Sequence, residues 1–559
     1  MPKNKLIPHK HLLIIVLFSC VMLAPAFILG AGGGDLHCQS LWVKFFNEQF
    51  WNGDLYPRWL QGMYVGDGSP VFFYYPPLPY FITAFFTFLS SFDAFNYYPI
   101  AASACLAAII SGITFYIWLK DEDISGEAAL IGSLLYIAAP FHIAQNFYYT
   151  LLFSSVWSYA WIPLLLLFAK RMTFGKPYSI AGFAVALCML VMTNLPMTLI
   201  FGPIAVAYAA ANFHKEHFSK QSLKLGIAVI LGFALSAVYL LPSLLYMDYA
   251  NVDIHWKMPG HKGGYSSYFL PLGFSTISQI LFTCLWLISA TLPFMYFKSV
   301  KPKRREIFFF LVLAASLFMI LPISQFVWKM LPIVQILQNP LRFFAVPALC
   351  LALFAAIVFP RFKILAYGLL VIYVGITFAI AGTTRVSVES FSKSEPERYE
   401  QYMLGIDQYA NYLTTPNLIL RYYMPEGFAD VKTHREKVEV VNGDAKIDAI
   451  EWKPRNIVLH YNASRDSTLR VRQFDFPGWQ VLYNGRELDK KRDENTGEIM
   501  FDVAEGEGNI TLQLTKLLPE IAGKMISILS AAILVLMFLI ELRNTKGVIV
   551  EKKRKWKKA

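Results

Sequence analysis

Asp35 stands where the first apolar run of the chain gives way to polar sequence, in Gly34-Asp35-Leu36-His37. The loop that follows is rich in rings, prolines and glycines. It runs through Trp51-Asn52-Gly53-Asp54-Leu55-Tyr56-Pro57-Arg58-Trp59 and Gly66-Asp67-Gly68-Ser69-Pro70 to Phe72-Phe73-Tyr74-Tyr75-Pro76-Pro77-Leu78-Pro79-Tyr80. A carboxylate at a helix–water boundary, followed by an aromatic loop punctuated by proline and glycine, can form a polar site at the bilayer surface. Asp35 is the candidate base, or a ligand of a divalent cation such as magnesium or manganese; the plainer alternative is a helix-end acid that caps or is solvated. His37 would assist it or bind a phosphate, unless a backbone group satisfies its ring. Arg58 is a bidentate phosphate clamp or a packing partner of its aromatic neighbours, and Trp59, Asp67 and Tyr75 complete the candidate binding set on this loop. Arg342 opens a later apolar helix just after Asn339-Pro340, where a charge is costly and often functional, or snorkels to the interface. His255, Lys257, His261 and Lys262, with Asp248, Asp253, Trp256 and Tyr265, suit a lid over a sugar phosphate as well as an ordinary loop.

These residues belong to a chain built for lipid. Of 559 residues, 56% are hydrophobic and 16% charged, with a mean hydropathy of +0.45, which excludes a soluble globular enzyme. A net charge of +12 would suggest nucleic acid in a soluble protein. Here it reads as lysine and arginine gathered on one side of a membrane, with no nucleic-acid partner. Five of the six cysteines lie in apolar runs and only Cys38 falls outside, so no disulfide framework is implied.

Leu12 to Ala31 has the length of an uncleaved spanning anchor. Apolar runs at 98–119, 128–145, 156–169, 179–194, 195–211, 225–246, 277–297, 307–326, 341–359, 364–381 and 521–540 bring the expected crossings to about twelve. Leu78–Phe92 is too short to cross and reads as a helix at the outer interface. On that assignment the basic loops around Lys170-Arg171, Lys215–Lys224, Lys298–Arg305 and Arg361–Lys363 share the side of the N-terminus with the Lys552–Lys558 tail. The positive-inside bias then makes both termini cytoplasmic, and the tail suits anionic lipid head groups.

The expected domains are a membrane unit over residues 1–381, with the first exterior loop at 32–97, then an exterior, mostly β unit over 382–520, and a last span with its tail over 521–559. In the exterior unit, Glu395–Leu413 reads as an amphipathic helix. Strands are predicted at 437–441, 456–461, 468–474, 479–483, 500–503 and 509–514, with turn signals at Asn442-Gly443-Asp444 and Asn484-Gly485. A small β-sandwich is the expected fold. His214…His217 reads as a solvated pair, and the sequons Asn462-Ala463-Ser464 and Asn509-Ile510-Thr511 carry meaning only in a host that glycosylates.

The first loop resembles that of the YfhO-like membrane proteins, and more closely the group labelled "6-pyruvoyl-tetrahydropterin synthase-related, membrane domain". Thr193-Asn194-Leu195-Pro196, Tyr239-Leu240-Leu241-Pro242-Ser243-Leu244-Leu245, Gln338-Asn339-Pro340-Leu341-Arg342-Phe343, Tyr423-Met424-Pro425-Glu426 and Phe476-Pro477-Gly478-Trp479-Gln480-Val481 extend the likeness along the chain. The group in turn resembles the GT-C membrane glycosyltransferases, which carry a functional acid near the end of helix one, where Asp35 stands. The resemblance implies transfer of a sugar from a polyprenyl-phosphate donor to a cell-envelope polysaccharide, lipid or protein, on the exterior face of the plasma (inner) membrane. Nothing in the residues supports the pterin chemistry of the label: the ten histidines are scattered without zinc-ligand spacing. One departure stands out. The loop between the third and fourth helices usually carries an arginine and a glutamate in this group. Here Asn146-Phe147-Tyr148-Tyr149-Thr150-Leu151-Leu152-Phe153-Ser154-Ser155 has no charge. That favours the alternative, a non-catalytic protein that binds or transports an envelope polymer or lipid-linked sugar.

Overall fold

The structure, a computed structural model, describes residues 7–29, 35–92, 97–249, 301–394, 436–494 and 496–558, with short pieces between 266 and 297. Helix α1 (His9–Leu29) is 21 residues long, roughly 31 Å at ~1.5 Å per residue, about the thickness of a bilayer core. It leads to α2 (Leu36–Trp51), the short α3 (Val71–Tyr74) and α4 (Leu78–Ala84), then to α5 (Tyr97–Asp121) and α6 (Gly126–Ala138). A π-helical turn, Ala144–Tyr149, precedes α7 (Phe153–Thr173), α8 (Ser179–Val191), α9 (Leu195–Ala211), α10 (Phe218–Leu235) and α11 (Ala237–Leu245). The later helices are Arg304–Met319, Ala345–Val358, Lys363–Ser394 and Leu518–Lys558.

Seven helices among the described residues are long and apolar enough to cross a membrane, or eight if the pair Arg304–Met319 and Pro322–Met330, bent by 90°, forms one span. The twelve expected crossings are not reproduced. Ser236 divides the run 225–246 between α10 and α11, and other runs hold helices short of a full span. α6 and α8 have 13 residues each and α9 has 17. Between α8 and α9 the Asn194 side chain accepts from Met197 N at 3.0 Å and Pro196 occupies the first turn of α9, so one helix must stop and another start. α4, at seven residues or about 10 Å, cannot cross. The run 277–297 lies largely outside the described residues, as does 395–413 in full.

The two ends of the bundle differ. At the end away from the β-domain, ion pairs weld α5, α7 and the helix Arg304–Met319. Lys170 and Arg305 reach Glu122 at 2.8 and 3.3 Å, Arg171 reaches Asp121 at 3.1 Å, Arg305 also holds Glu306 at 2.5 Å, and Tyr208 of α9 donates to Glu122 at 2.8 Å. Asp121, Glu122 and Glu306 are all buried, and each has a cation beside it.

The C-terminal helix leans on the break between α10 and α11. Gly523 sits where a Cβ would come within 2.4 Å of Ala237 O, and Ser527 Oγ accepts from Val238 N at 2.8 Å.

The β-domain is one continuous seven-stranded sheet rather than the two separate layers of a sandwich. β1 (Val438–Lys453) and β2 (Asn456–Phe474) form a long hairpin, joined by β3 (Trp479–Tyr483), β4 (Arg486–Leu488), β5 (Lys490–Arg492), β6 (Glu498–Val503) and β7 (Gly506–Leu514). On its other edge β2 pairs with β7 through residues 456–463 and with β6 through 467–474, so the sheet curls towards a nearly closed barrel. The predicted runs 456–461 and 468–474 are therefore one strand. Asn484-Gly485 is the expected tight turn, with φ of +50° and +77°. Asn442-Gly443-Asp444 is instead a bulge in β1, where register shifts and Gly443 at φ +100° bring the backbone against Ser467.

Candidate functional site

Asp35 opens α2 at the β-domain end of the bundle. Its N–H donates to Thr150 O at 3.0 Å and its C=O accepts from Gln39 N at 3.0 Å, yet its carboxyl makes no capping bond to the helix it starts. The residue is closely surrounded by protein and still keeps part of its surface open, and the same holds for Tyr75. Arg342 too is partly exposed. Polar side chains that are deep and yet reachable line a recess, neither a core nor an open surface. Burial pushes the Asp35 carboxyl up to about 7, and the nearby Arg342 guanidinium pulls against that rise.

Neutral hydrogen-bonding groups frame these charges. Tyr75 Oη lies 3.0 Å from Ser154 Oγ, and Asn194 Nδ2 donates to Ser154 Oγ at 3.2 Å and Ser155 Oγ at 3.1 Å. Tyr80 Oη donates to Gln39 Oε1 at 2.5 Å, and the Tyr75 ring packs 4.8 Å from that of Trp42. Burial raises the Tyr75 phenol; the Ser154 hydrogen bond holds it down, and the charges of Asp35 and Arg342 also act on it in opposite senses. Arg342 sits in the 3-10 turn Pro340–Phe344, started by Asn339 Oδ1 accepting from Leu341 N at 2.8 Å, and donates to Gln338 Oε1 at 3.2 Å. Gln39, Ser154, Ser155 and Asn194 escaped the sequence reading. Asn194 was visible only as part of a helix break, and Ser154-Ser155 only as a stretch without charge.

The rest of the first loop does something else. Arg58, the expected phosphate clamp, is 3% exposed. Its Nε meets Glu520 at 3.1 Å, its guanidinium donates to Val238 O at 2.6 Å, and it lies 3.8 Å over the Tyr56 ring. It therefore ties the loop to the start of the last span and to α11. Trp59, expected to face substrate, is fully buried against Phe476 and Trp479 of the β-domain, at 5.7 and 5.8 Å. Asp67, also fully buried, binds Arg472 at 3.1 Å, and its C=O accepts from Phe474 N at 2.9 Å and Gln473 Nε2 at 2.7 Å. Gly68 closes this socket: at φ +84°, its Cβ position falls 2.4 Å from the Trp59 ring nitrogen. The loop is a receptacle for the Phe476-Pro477-Gly478-Trp479 corner of the β-domain, and only its last turn, at Tyr75, reaches the recess.

His37 lies in α2, but its side chain is outside the described residues, as are His255, Lys257, His261, Lys262 and Asp253 altogether; of Asp248 only the backbone is described, in the turn Met247–Tyr249. No group of three or more His, Cys, Asp or Glu side chains able to hold a metal ion occurs among the described residues, and Asp35 is the one acid in the recess that they define. The described residues alone assemble no set of donors for a divalent cation around Asp35.

A model of the family described as "6-pyruvoyl-tetrahydropterin synthase related domain; membrane protein" matches residues 72–387, more than half of the chain. The chain belongs to this family. The family's match takes in Tyr75, the π-helical turn, Ser154, Asn194 and Arg342, so one wall of the recess is family sequence, while Asp35 and the β-domain lie outside the matched span. No curated protein matches the chain.

Proposed function

We propose that this member of the family is a membrane glycosyltransferase that moves a sugar from a polyprenyl-phosphate donor to a cell-envelope acceptor. The observation that carries the reading is the convergence of Asp35, Arg342 and Tyr75 in a recess at the end of the first span. A carboxyl that titrates near 7 is substantially ionised at neutral pH and still basic enough to take a proton. As the acceptor hydroxyl oxygen attacks the anomeric carbon, its proton passes to Asp35. The bond from that carbon to the phosphate oxygen breaks, and polyprenyl phosphate leaves with its negative charge facing Arg342. Tyr75, held by Ser154, orients the reacting groups by hydrogen bonding. No step runs through a divalent cation.

The basic end of the bundle, with Lys170, Arg171, Lys176, Arg305 and Arg361, faces the cytoplasm on this reading. The recess and β-domain are then exterior, both termini interior, and the β-domain stands beside the acceptor's approach. The uncharged 146–155 segment favours a second reading, a binder or transporter of the same lipid-linked sugar.

Transfer from labelled polyprenyl-phosphate sugars by the purified full-length protein and by Asp35→Asn tests both readings. Transferase action predicts a loss of about 10²–10⁴-fold in a folded variant. Undiminished transfer removes Asp35 from the chemistry. Wild-type protein that binds the labelled lipid and transfers none of it supports the binder.

A further inference from the structure

The segment beside Asp35 carries three local costs at once. Ala144–Tyr149 is π-helical, a form found mostly as single turns at functional sites. Leu151, a fully buried non-glycine residue, is held at φ +52°. Asn146, 1% exposed, has no hydrogen-bond partner for either its Oδ1 or its Nδ2. A buried amide left unsatisfied destabilises a fold, whereas an apolar side chain of the same shape would not. Phe147, Tyr148 and Leu151 show that the segment has no difficulty packing apolar groups.

Asn146 lies four residues, less than one π-helical turn, before Thr150, whose C=O accepts the Asp35 N–H. The orphaned amide therefore belongs to the turn whose C-terminal end is bonded to Asp35. Resting on the transferase reading, we propose that Asn146 is the sugar-recognising residue of this site, its amide engaging a hydroxyl of the donor's sugar while Arg342 faces the phosphate. The chemistry of the amide selects the ligand group. A phosphate oxygen only accepts hydrogen bonds and would leave Oδ1 unmet, but a sugar hydroxyl both donates and accepts, and it satisfies both atoms. The absence of charge in this segment, which would weaken a metal or acid–base role, suits a neutral polyol. The hydroxyl reaches the amide by a shift of the π-helical turn.

The test measures binding by the full chain in nanodiscs of two probes, a polyprenyl-phosphate hexose and sugar-free polyprenyl phosphate, by native mass spectrometry. The wild type is expected to prefer the hexose lipid by about tenfold or more, since a site built to hydrogen-bond a hydroxyl discriminates strongly against its absence. Asn146→Leu is expected to reduce that preference to within about twofold, leave affinity for the sugar-free lipid unchanged, and keep or raise the melting temperature, because it removes an unsatisfied buried amide. Asn146→Ser covers the case in which leucine is not accommodated, and is expected to lose part of the preference. A preference retained in both variants overturns the proposal and leaves the amide to a buried water, as does a wild type that binds the two lipids equally. A wild type that binds neither lipid defeats the transferase reading itself.

Discussion

Arginine–carboxylate partnerships of two kinds lie at the same end of the molecule and have opposite characters. In the docking seam, Arg58 meets Glu520 at 3.1 Å and Arg472 meets Asp67 at 3.1 Å; Arg58, Glu520 and Asp67 are buried and Arg472 nearly so. Each acid there is met directly, and the Arg58–Glu520 pair is held by further bonds to backbone, Arg58 donating to Val238 O and Glu520 accepting from Leu517 N. In the recess, Asp35 feels Arg342 through its charge, but burial outweighs that pull and holds the carboxyl near 7. The seam uses its charges to fasten the first loop to the β-domain and the last span. The recess leaves the Asp35 carboxyl without a capping bond and raised to about 7. A buried pair whose charges meet directly is a structural device, whereas an acid held at the edge of ionisation is, on the proposed reading, a chemical one.

The largest expected effect falls on the seam. Glu520→Ala leaves the Arg58 guanidinium buried without its counter-charge and is expected to cost about 3–5 kcal/mol, read as a lowered melting temperature in nanodiscs. The double change Arg58→Met with Glu520→Leu is expected to recover most of it. A single variant as stable as wild type would show that the seam does not fasten the loop. Gly68→Ala comes next, at about 1–3 kcal/mol, because a methyl group at φ +84° meets the Trp59 ring. Its signature is earlier protease cutting between the membrane unit and the β-domain.

The recess responds to pH instead. The folded protein holds the Asp35 proton to about pH 7 while the free side chain releases it near 3.8, so ionisation weighs against folding, increasingly between those values. Asp35→Asn is accordingly expected to stabilise the protein more at pH 8 than at pH 4, and an equal effect at both would contradict a buried acid. The smallest shift is the most specific. Activity should rise with pH through an apparent pKa of about 7, and Arg342→Gln should move that limb upwards by removing the charge that opposes the rise, whereas Arg472→Gln should leave it in place.

Much of this was legible in the residues. The helical membrane unit, the non-crossing Leu78–Phe92 stretch, the break at Asn194-Leu195-Pro196 and the strand 479–483 followed from apolar length, capping residues, proline and alternation. The number of crossings did not, since apolar length alone cannot show that the runs 128–145 and 179–194 hold helices of only 13 residues, or that 225–246 is divided at Ser236. Of the candidate residues, Asp35, Tyr75 and Arg342 converge. Arg58, Trp59 and Asp67 occur in the same first loop but turn elsewhere: Trp59 and Asp67 to the β-domain, more than 400 residues away in sequence, and Arg58 to α11 and the start of the last span.

By itself, then, the sequence determined what is local: which stretches are apolar enough for lipid, where helices must stop, and which side chains are able to carry charge or protons. Tertiary structure alone decided which acids meet a cation directly and which carboxyl is held near neutrality by burial. Pairing depends on distances between segments far apart along the chain, and a carboxyl's affinity for its proton depends on how much protein and how little water surround it. That is why Asp67 and Asp35, both acids beside glycines at the same end of the molecule, became a fastening and a candidate base.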